Sequence, residues 1–162
     1  MGYLNKSVSA RKGLPWVSVV LWMLLIFMLS GQPGEKSGEL SHGVAHFIAR
    51  VAEKVFPRAE LDAEKVHGPV RKTAHVANFF VLGVLVVRAL YKNGVRGKRL
   101  WLIAGVLCML YALSDEFHQY FIPARGAQIS DVLLDTLGSV TGIAGYWQWR
   151  CSKRLERIEN SS

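Results

Sequence analysis

Long apolar segments alternate with short, strongly basic connectors along the chain. Apolar residues dominate four stretches, which cover residues 14–29, 79–87, 100–113 and 132–149. A helix needs about 20 mainly apolar residues to cross a bilayer, and ionisable residues within a crossing usually face the interior of a bundle. The pattern therefore predicts an all-α integral membrane four-helix bundle, with helices over residues 14–29, 71–91, 100–115 and 131–149.

The third apolar stretch is too short to cross a membrane by itself. Residues 100–113 extend over only about 21 Å at the helical rise of about 1.5 Å per residue, whereas a hydrocarbon core is about 30 Å thick. We therefore expect the third helix to continue through the following polar residues, towards residue 122, which places Asp115 and His118 at the lipid boundary. Asp115, His118 and Gln119 then share one helix face, at i, i+3 and i+4.

The first loop carries a further helical pattern. Its apolar residues at helical spacing are Val44, Phe47, Ile48, Val51 and Val55. They predict a short amphipathic helix that lies on the membrane surface. His42 and His46, one turn apart on this segment, have the spacing of two metal ligands. Because no third ligand lies nearby in the sequence, two solvated histidines are the simpler interpretation.

The distribution of charge predicts an orientation. The formal net charge is +8, and Lys and Arg concentrate at the ends of the apolar stretches, which is typical of membrane anchoring and argues against nucleic-acid binding. The connector between helices three and four has only Arg125, whereas the other short connectors and both termini are more basic. The positive-inside rule therefore places residues 1–13 and 150–162 in the cytoplasm, on either side of a membrane domain 14–149.

This orientation collects polar side chains from helices two, three and four at the outer end of the bundle. The predicted substrate-binding residues are Arg71, Lys72, His75, Asn78, Gln119, Arg125, Asp131 and Asp135. Three of them are cations that can hold a phosphate group, namely Arg71, Lys72 and Arg125. A lipid-phosphate or a lipid-linked sugar headgroup would lie at this depth.

The carboxylates and histidines of this end suggest further chemistry. The candidates for general acid–base catalysis are His75, Asp115, Glu116 and His118. The candidate ligands for a divalent metal are Asp115, His118, Asp131 and Asp135. Structural pairing is the alternative, because His75 with Asp135, for example, would hold two helices in register without any ligand.

Two local signals concern the fourth helix. Ser130 is well placed to cap its N-terminus, since serine is among the preferred N-cap residues. Gly138 and Gly142 form a G-x-x-x-G motif on the same side as Asp135. This motif predicts that a neighbouring helix approaches closely there.

Several of these motifs occur in a particular order. They are Ser30-Gly-Gln-Pro33, Arg71-Lys-Thr-Ala-His75, Phe80-Val-Leu-Gly83, Asp115-Glu-Phe-His-Gln119 with Pro123 and Arg125, and Ser130-Asp131 through Asp135 and Gly138. This set, over residues 14–149, resembles the VanZ-like family of small bacterial membrane proteins. Two positions depart from the family pattern, because Asn78 stands where a glutamate is common and Ala124 where a glycine is typical. The resemblance implies a location in the bacterial cytoplasmic (inner) membrane and, through the family's association with teicoplanin resistance, a role in the cell envelope.

Three functions remain open from the sequence. The first is binding of an anionic envelope component, such as a lipid-linked precursor or a phospholipid headgroup, at the outer face. The second is a metal-assisted or acid–base hydrolase or transferase that acts on a lipid phosphate or a lipid-linked sugar. The third is a non-enzymatic membrane scaffold. The sequence does not decide whether the chain is an enzyme.

Overall fold

The structure is a computed structural model that describes residues 3–31, 63–122 and 128–160. This part of the chain forms four helices, which are α1 (Tyr3–Ser30), α2 (Ala63–Lys92), α3 (Lys98–Tyr120) and α4 (Ile129–Glu159). The predicted all-α class is confirmed. The predicted surface helix of the first loop, with His42 and His46, lies outside the described residues, and so does Arg125.

Three of the helices contain segments that are long and apolar enough to cross a membrane. Within the described ranges these segments are Gly13–Ser30, Val70–Lys92 and Lys98–Tyr120. Helix α4 is not among them, although it exposes large apolar side chains such as Leu133 and Leu137. Its sequence also includes carboxylates, glycines and hydroxyl residues, which lower its mean hydropathy. The chain is thus a multi-pass membrane protein, and a fourth crossing by α4 stays a prediction.

Helix ends differ from the sequence prediction mainly by being longer. Helix α1 begins at Tyr3 and α2 at Ala63, each about two turns or more before the predicted start. Helix α4 continues to Glu159, so most of the predicted C-terminal tail is helical. Helix α3 reaches Tyr120, which confirms that it continues past its apolar stretch through the polar residues.

Helices α1 and α3 run in the same direction. Tyr111 on α3 donates a hydrogen bond from its hydroxyl to the carbonyl of Met23 on α1, over 2.5 Å. Further along both helices, Ser30 Oγ donates to Asp115 Oδ2 over 2.9 Å. The C-terminal ends of the two helices therefore lie at the same end of the bundle.

Helices α2 and α4 also run parallel to each other and antiparallel to α3. Lys72, in the third turn of α2, donates to Asp131 in the first turn of α4, and Arg150 donates to the Tyr91 hydroxyl near the far end of α2. The turn between α2 and α3 is short and includes Gly94 with a φ of 93°, a left-handed conformation that favours glycine. The N-terminal ends of α2 and α4 thus meet the C-terminal ends of α1 and α3.

Glycines bring the backbones of α2 and α4 into direct contact. A Cβ atom on Gly138 would lie 2.6 Å from the carbonyl oxygen of Val76, and one on Gly142 would overlap the carbonyl oxygen of Phe80. Small residues permit this approach because they leave no side chain between the helices. The predicted close contact at the G-x-x-x-G motif is confirmed. It fixes the register that brings the polar starts of α2 and α4 together.

Candidate functional site

A pocket lies where the N-terminal ends of α2 and α4 meet the C-terminal end of α3. It is lined by Arg71, Lys72, His75, Glu116, Gln119, Asp131, Leu134 and Asp135. Apart from Leu134, all of these residues belong to the polar set that was predicted from the sequence. The antiparallel arrangement therefore brings side chains from three separate segments of sequence into one concave site.

Three potential ligand residues converge at the inner side of this pocket. One imidazole nitrogen of His75 and one carboxylate oxygen each of Asp115 and Asp135 all lie within 4.8 Å of one another. His75 Nδ1 is 3.6 Å from Asp135 Oδ2. Both aspartates are only 2% exposed. These three residues, hereafter the carboxylate–histidine cluster, come from three different helices.

Asp115 accepts hydrogen bonds from two neighbours through one oxygen, and its other oxygen has no partner among the described residues. Ser30 Oγ and Gln119 Nε2 both donate to Asp115 Oδ2, over 2.9 and 3.1 Å. Asp115 Oδ1 is buried and accepts no hydrogen bond from the described residues. A buried polar atom without a partner is costly, and the cost is greater for a charged group. This oxygen is therefore the most unusual atom of the cluster.

The outer side of the pocket carries the cations. Lys72 Nζ lies 2.8 Å from Asp131 Oδ1, and the two side chains are 46% and 19% exposed. Arg71 is half-buried and makes no ion pair within the described part of the chain. The pocket is thus lined by cations and carboxylates together, among them Arg71 and Asp135.

Glu116 connects α3 to the start of α4. Its Oε1 accepts a hydrogen bond from the backbone N–H of Gln128, over 2.6 Å. Gln128, and not Ser130, is the N-cap residue of α4, so the predicted capping role of Ser130 is wrong. Ser130 lies within the first turn, where its hydroxyl contacts the side chains of Gln128 and Asp131. A carboxylate that accepts this N–H has a structural use whether or not it takes part in chemistry.

Two predicted site residues lie away from the cluster. The ring of His118 stacks on Phe27 of α1, with centroids 4.2 Å apart and planes 24° apart. Neither His118 nor Asn78 lines the pocket. The backbone carbonyl of Asn78 accepts a hydrogen bond from Trp22 Nε1.

Ser30 is the member of the site that the sequence reasoning missed. Ser30 follows the predicted first helix, which ends at residue 29, yet it is 1% exposed and bonded to Asp115. A hydroxyl residue directly at the end of an apolar helix, and within a family motif, is the signal that could have drawn attention to it.

Together the fold and the pocket define a class: a multi-pass helical membrane protein with a buried polar cluster at one end of its bundle. The family model of VanZ/LLP1 matches residues 15–150. The chain therefore belongs to the VanZ-like family, and the resemblance seen in its motifs is confirmed. No curated protein and no solved structure matches the chain.

Proposed function

We propose that this chain is a four-helix protein of the bacterial cytoplasmic membrane that binds an anionic component of the cell envelope in the pocket. The ligand class is a phospholipid headgroup or the phosphate of a lipid-linked precursor. The single observation that carries the proposal is Arg71, a half-buried guanidinium that lines the pocket without an acidic partner among the described residues. Guanidinium groups bind phosphate through paired N–H donors, which favours this ligand chemistry.

An apolar groove beside the pocket supports a ligand that carries a hydrocarbon chain. The groove runs between α3 and α4 and is lined by Leu113, Glu116, Phe117, Tyr120, Gln128, Ile129 and Val132. Glu116 lines both the groove and the pocket. A lipid could therefore place its headgroup in the pocket and its chain along the groove. A free anion would use the pocket alone.

The charge at the opposite end of the bundle supports an outward-facing pocket. A second group of basic residues, Arg150, Lys153, Arg154 and Arg157, lies in the last part of α4, far from the start of that helix. Since Lys and Arg favour the cytoplasmic side, this end and both termini are assigned to the cytoplasm. The pocket then opens toward the cell envelope. Any link to glycopeptide resistance, including that to teicoplanin, would act through an envelope component at this face.

A second candidate function is favoured by the carboxylate–histidine cluster. Two buried carboxylates and an imidazole can supply a general acid and a general base, or hold a metal ion, next to a phosphate bound by Arg71. This arrangement suits a hydrolase or transferase that acts on a lipid phosphate or a lipid-linked sugar. The binder and the enzyme share one ligand class, so they differ only in whether the bound lipid is converted.

The proposal is tested with the full chain in nanodiscs. Binding of a short-chain phosphatidylglycerol, of a polyprenyl phosphate, and of inorganic phosphate is measured by native mass spectrometry, with phosphatidylcholine as the zwitterionic control. The lipids that carry net negative charge should bind. Arg71→Ala should weaken their binding affinity by about tenfold or more, in line with the loss of a charge-assisted hydrogen bond.

The matched control is Arg88→Ala, which removes an exposed arginine on the same helix but outside the pocket. Equal effects of the two substitutions, or equal binding of phosphatidylcholine, would contradict the proposal. Release of phosphate from the polyprenyl phosphate, lost in Asp135→Asn, would favour the enzyme over the simple binder.

A further inference from the structure

We propose that His75, Asp115 and Asp135 form a binding site for a divalent transition-metal ion, of the Zn²⁺ or Mn²⁺ type. This set differs from the ligands expected from sequence, which were Asp115, His118, Asp131 and Asp135. Two of those residues have other contacts in the structure, because His118 stacks on Phe27 and Asp131 pairs with Lys72. His75 takes their place in the cluster.

The spacing of His75 and Asp135 is compatible with a metal ion shared by the two side chains. His75 Nδ1 and Asp135 Oδ2 are 3.6 Å apart, beyond the usual hydrogen-bond range of about 2.7–3.2 Å. Two atoms bound to one tetrahedral ion at about 2.1 Å lie roughly 3.4 Å from each other. The complete set of three atoms falls within 4.8 Å, so small side-chain rotations suffice to bring all of them to one ion.

The unpartnered oxygen of Asp115 is the independent observation that points to a ligand. Asp115 is 2% exposed, and its Oδ1 has no hydrogen-bond partner among the described residues. Asp135 places a second buried carboxylate within the same small space. A cation bound by both carboxylates would offset the repulsion of like charges, which is strong in an apolar interior. It would also give Asp115 Oδ1 the partner that the described residues do not supply.

Hydrogen bonds from neighbouring residues hold the Asp115 carboxylate, as is common for carboxylates that bind metals. Ser30 and Gln119 both donate to Oδ2, so Oδ1 is the oxygen that remains available. Metal-binding carboxylates are commonly fixed by such hydrogen bonds from outer residues. These hydrogen bonds therefore fix the Asp115 side chain and reduce the side-chain entropy lost when an ion binds.

The donor set indicates the type of ion. Two carboxylate oxygens alone would suit Mg²⁺ or Ca²⁺, whereas an imidazole nitrogen shifts the preference towards Zn²⁺, Mn²⁺ and similar ions. With three protein ligands, an ion of this kind keeps at least one position for water or another ligand. Arg71 and Lys72 line the same pocket as His75 and Asp135. If the proposed lipid binding holds, a phosphate oxygen can occupy the open position on the ion.

The test measures metal binding directly and needs no lipid. The full chain in nanodiscs is stripped with a chelator and dialysed against Zn²⁺ or Mn²⁺, and the bound metal is determined by inductively coupled plasma mass spectrometry. Mn²⁺ is also followed by electron paramagnetic resonance. The wild type should bind about one ion per chain, and His75→Ala and Asp135→Asn should each weaken it by at least about tenfold. Ser30→Ala should weaken it less, as expected for an outer residue.

Asp131→Asn and His118→Ala are the matched controls, because each removes a predicted ligand outside the cluster. Both should retain the ion. Circular dichroism and size-exclusion chromatography confirm that each variant is folded, and Asp135→Glu, which keeps the carboxylate, provides a milder substitution that should retain measurable binding.

Three results would overturn the metal site. They are the absence of saturable binding to the wild type, equal binding by the cluster variants, and equal loss in the controls. Binding that persists unchanged in every variant would indicate adventitious surface metal only. Retained lipid binding by a chain that binds no metal would leave the proposed function intact, so failure of the two proposals can be distinguished.

Discussion

Ser30 and Asp115 are 85 positions apart in the sequence and are joined by a buried hydrogen bond of 2.9 Å. Ser30 is the last residue of α1, and Asp115 lies near the C-terminal end of α3. The bond therefore connects the first helix to the carboxylate–histidine cluster, to which α1 contributes no charged group. It explains how a helix with an almost uniformly apolar membrane segment takes part in a polar site.

Replacing Ser30 with alanine should destabilise the protein. The substitution removes one of the two donors to a buried carboxylate, and hydrogen bonds to charged groups are worth about 1.5–3 kcal/mol. We expect the free energy of unfolding, measured in mild detergent with a chemical denaturant, to fall by about this amount.

Ser18→Ala provides the control on the same helix. Within the described part of the chain, Ser18 Oγ donates to the carbonyl of Pro15, three residues earlier, over 2.7 Å. Loss of this local bond should change the stability much less. If the two substitutions lower the free energy of unfolding equally, the bond to Asp115 stabilises the protein no more than the local bond of Ser18.

A methyl group at Gly142 should disturb the contact between α2 and α4. The added Cβ would overlap the carbonyl oxygen of Phe80, which belongs to a helix backbone and cannot rotate away. Overpacking of this kind typically costs about 1–3 kcal/mol. Gly142→Ala should therefore lower the midpoint of thermal unfolding.

Gly145→Ala on the same helix is the comparison for that experiment. Among the described residues, a Cβ atom there meets the ring carbon Cζ of Phe80 alone, at 3.9 Å, which is an ordinary contact. Because alanine is a better helix former than glycine, this change should be neutral or stabilising by up to about 1 kcal/mol. A thermal midpoint that falls equally in both variants would argue against backbone contact at Gly142.

The apolar pattern was sufficient to predict the helices and the end at which the polar groups meet. Consecutive helices that are joined by connectors and each cross the membrane must run in opposite directions. This up-and-down order is enough to place His75, Asp115 and Asp135 at the same end of the bundle. The small-residue motif at Gly138 and Gly142 predicted where two helices touch. These features depend on hydropathy and chain direction, which the sequence expresses directly.

The rotation of each helix about its axis could not be predicted in the same way. At about 100° per residue, His118 and Gln119 lie on opposite sides of Asp115, although both are within one turn of it. Helix α1 packs on one side of α3, where Phe27 stacks on the His118 ring. The pocket lies on the other side, with Gln119 in its lining. From their spacing, His118 and Gln119 were both predicted to belong to the site with Asp115. Spacing does not show which neighbouring helix each side of α3 faces.

The ion pair between Lys72 and Asp131 should contribute little to stability. Its Lys72 side chain is 46% exposed, and exposed ion pairs are typically worth only about 0.2–1 kcal/mol. A double-mutant cycle with Lys72→Met and Asp131→Asn should give a coupling energy in this range. The coupling should decrease as salt is added, because water and ions screen the pair.

Coupling well above this range, or coupling that is insensitive to salt, would mean that the pair is screened less than its exposure indicates. The informative comparison is a cycle on Ser30 and Asp115, with Ser30→Ala and Asp115→Asn. That pair is buried and should couple more strongly, with little dependence on salt.

Accessibility to a membrane-impermeant maleimide should reveal which side of the membrane the pocket faces. The chain has two cysteines: Cys151 is exposed near the basic end of α4, and Cys108 is buried and should react slowly. If the pocket faces outward, intact cells should leave Cys151 unlabelled, and permeabilised cells should label it. In a Cys151→Ser background, Ser130→Cys at the exposed start of α4 should label in intact cells.

The reverse pattern would place the pocket in the cytoplasm, where its ligand would have to be sought among cytoplasmic anions and inner-leaflet lipids. Labelling of both positions from outside would instead show that α4 does not cross the membrane.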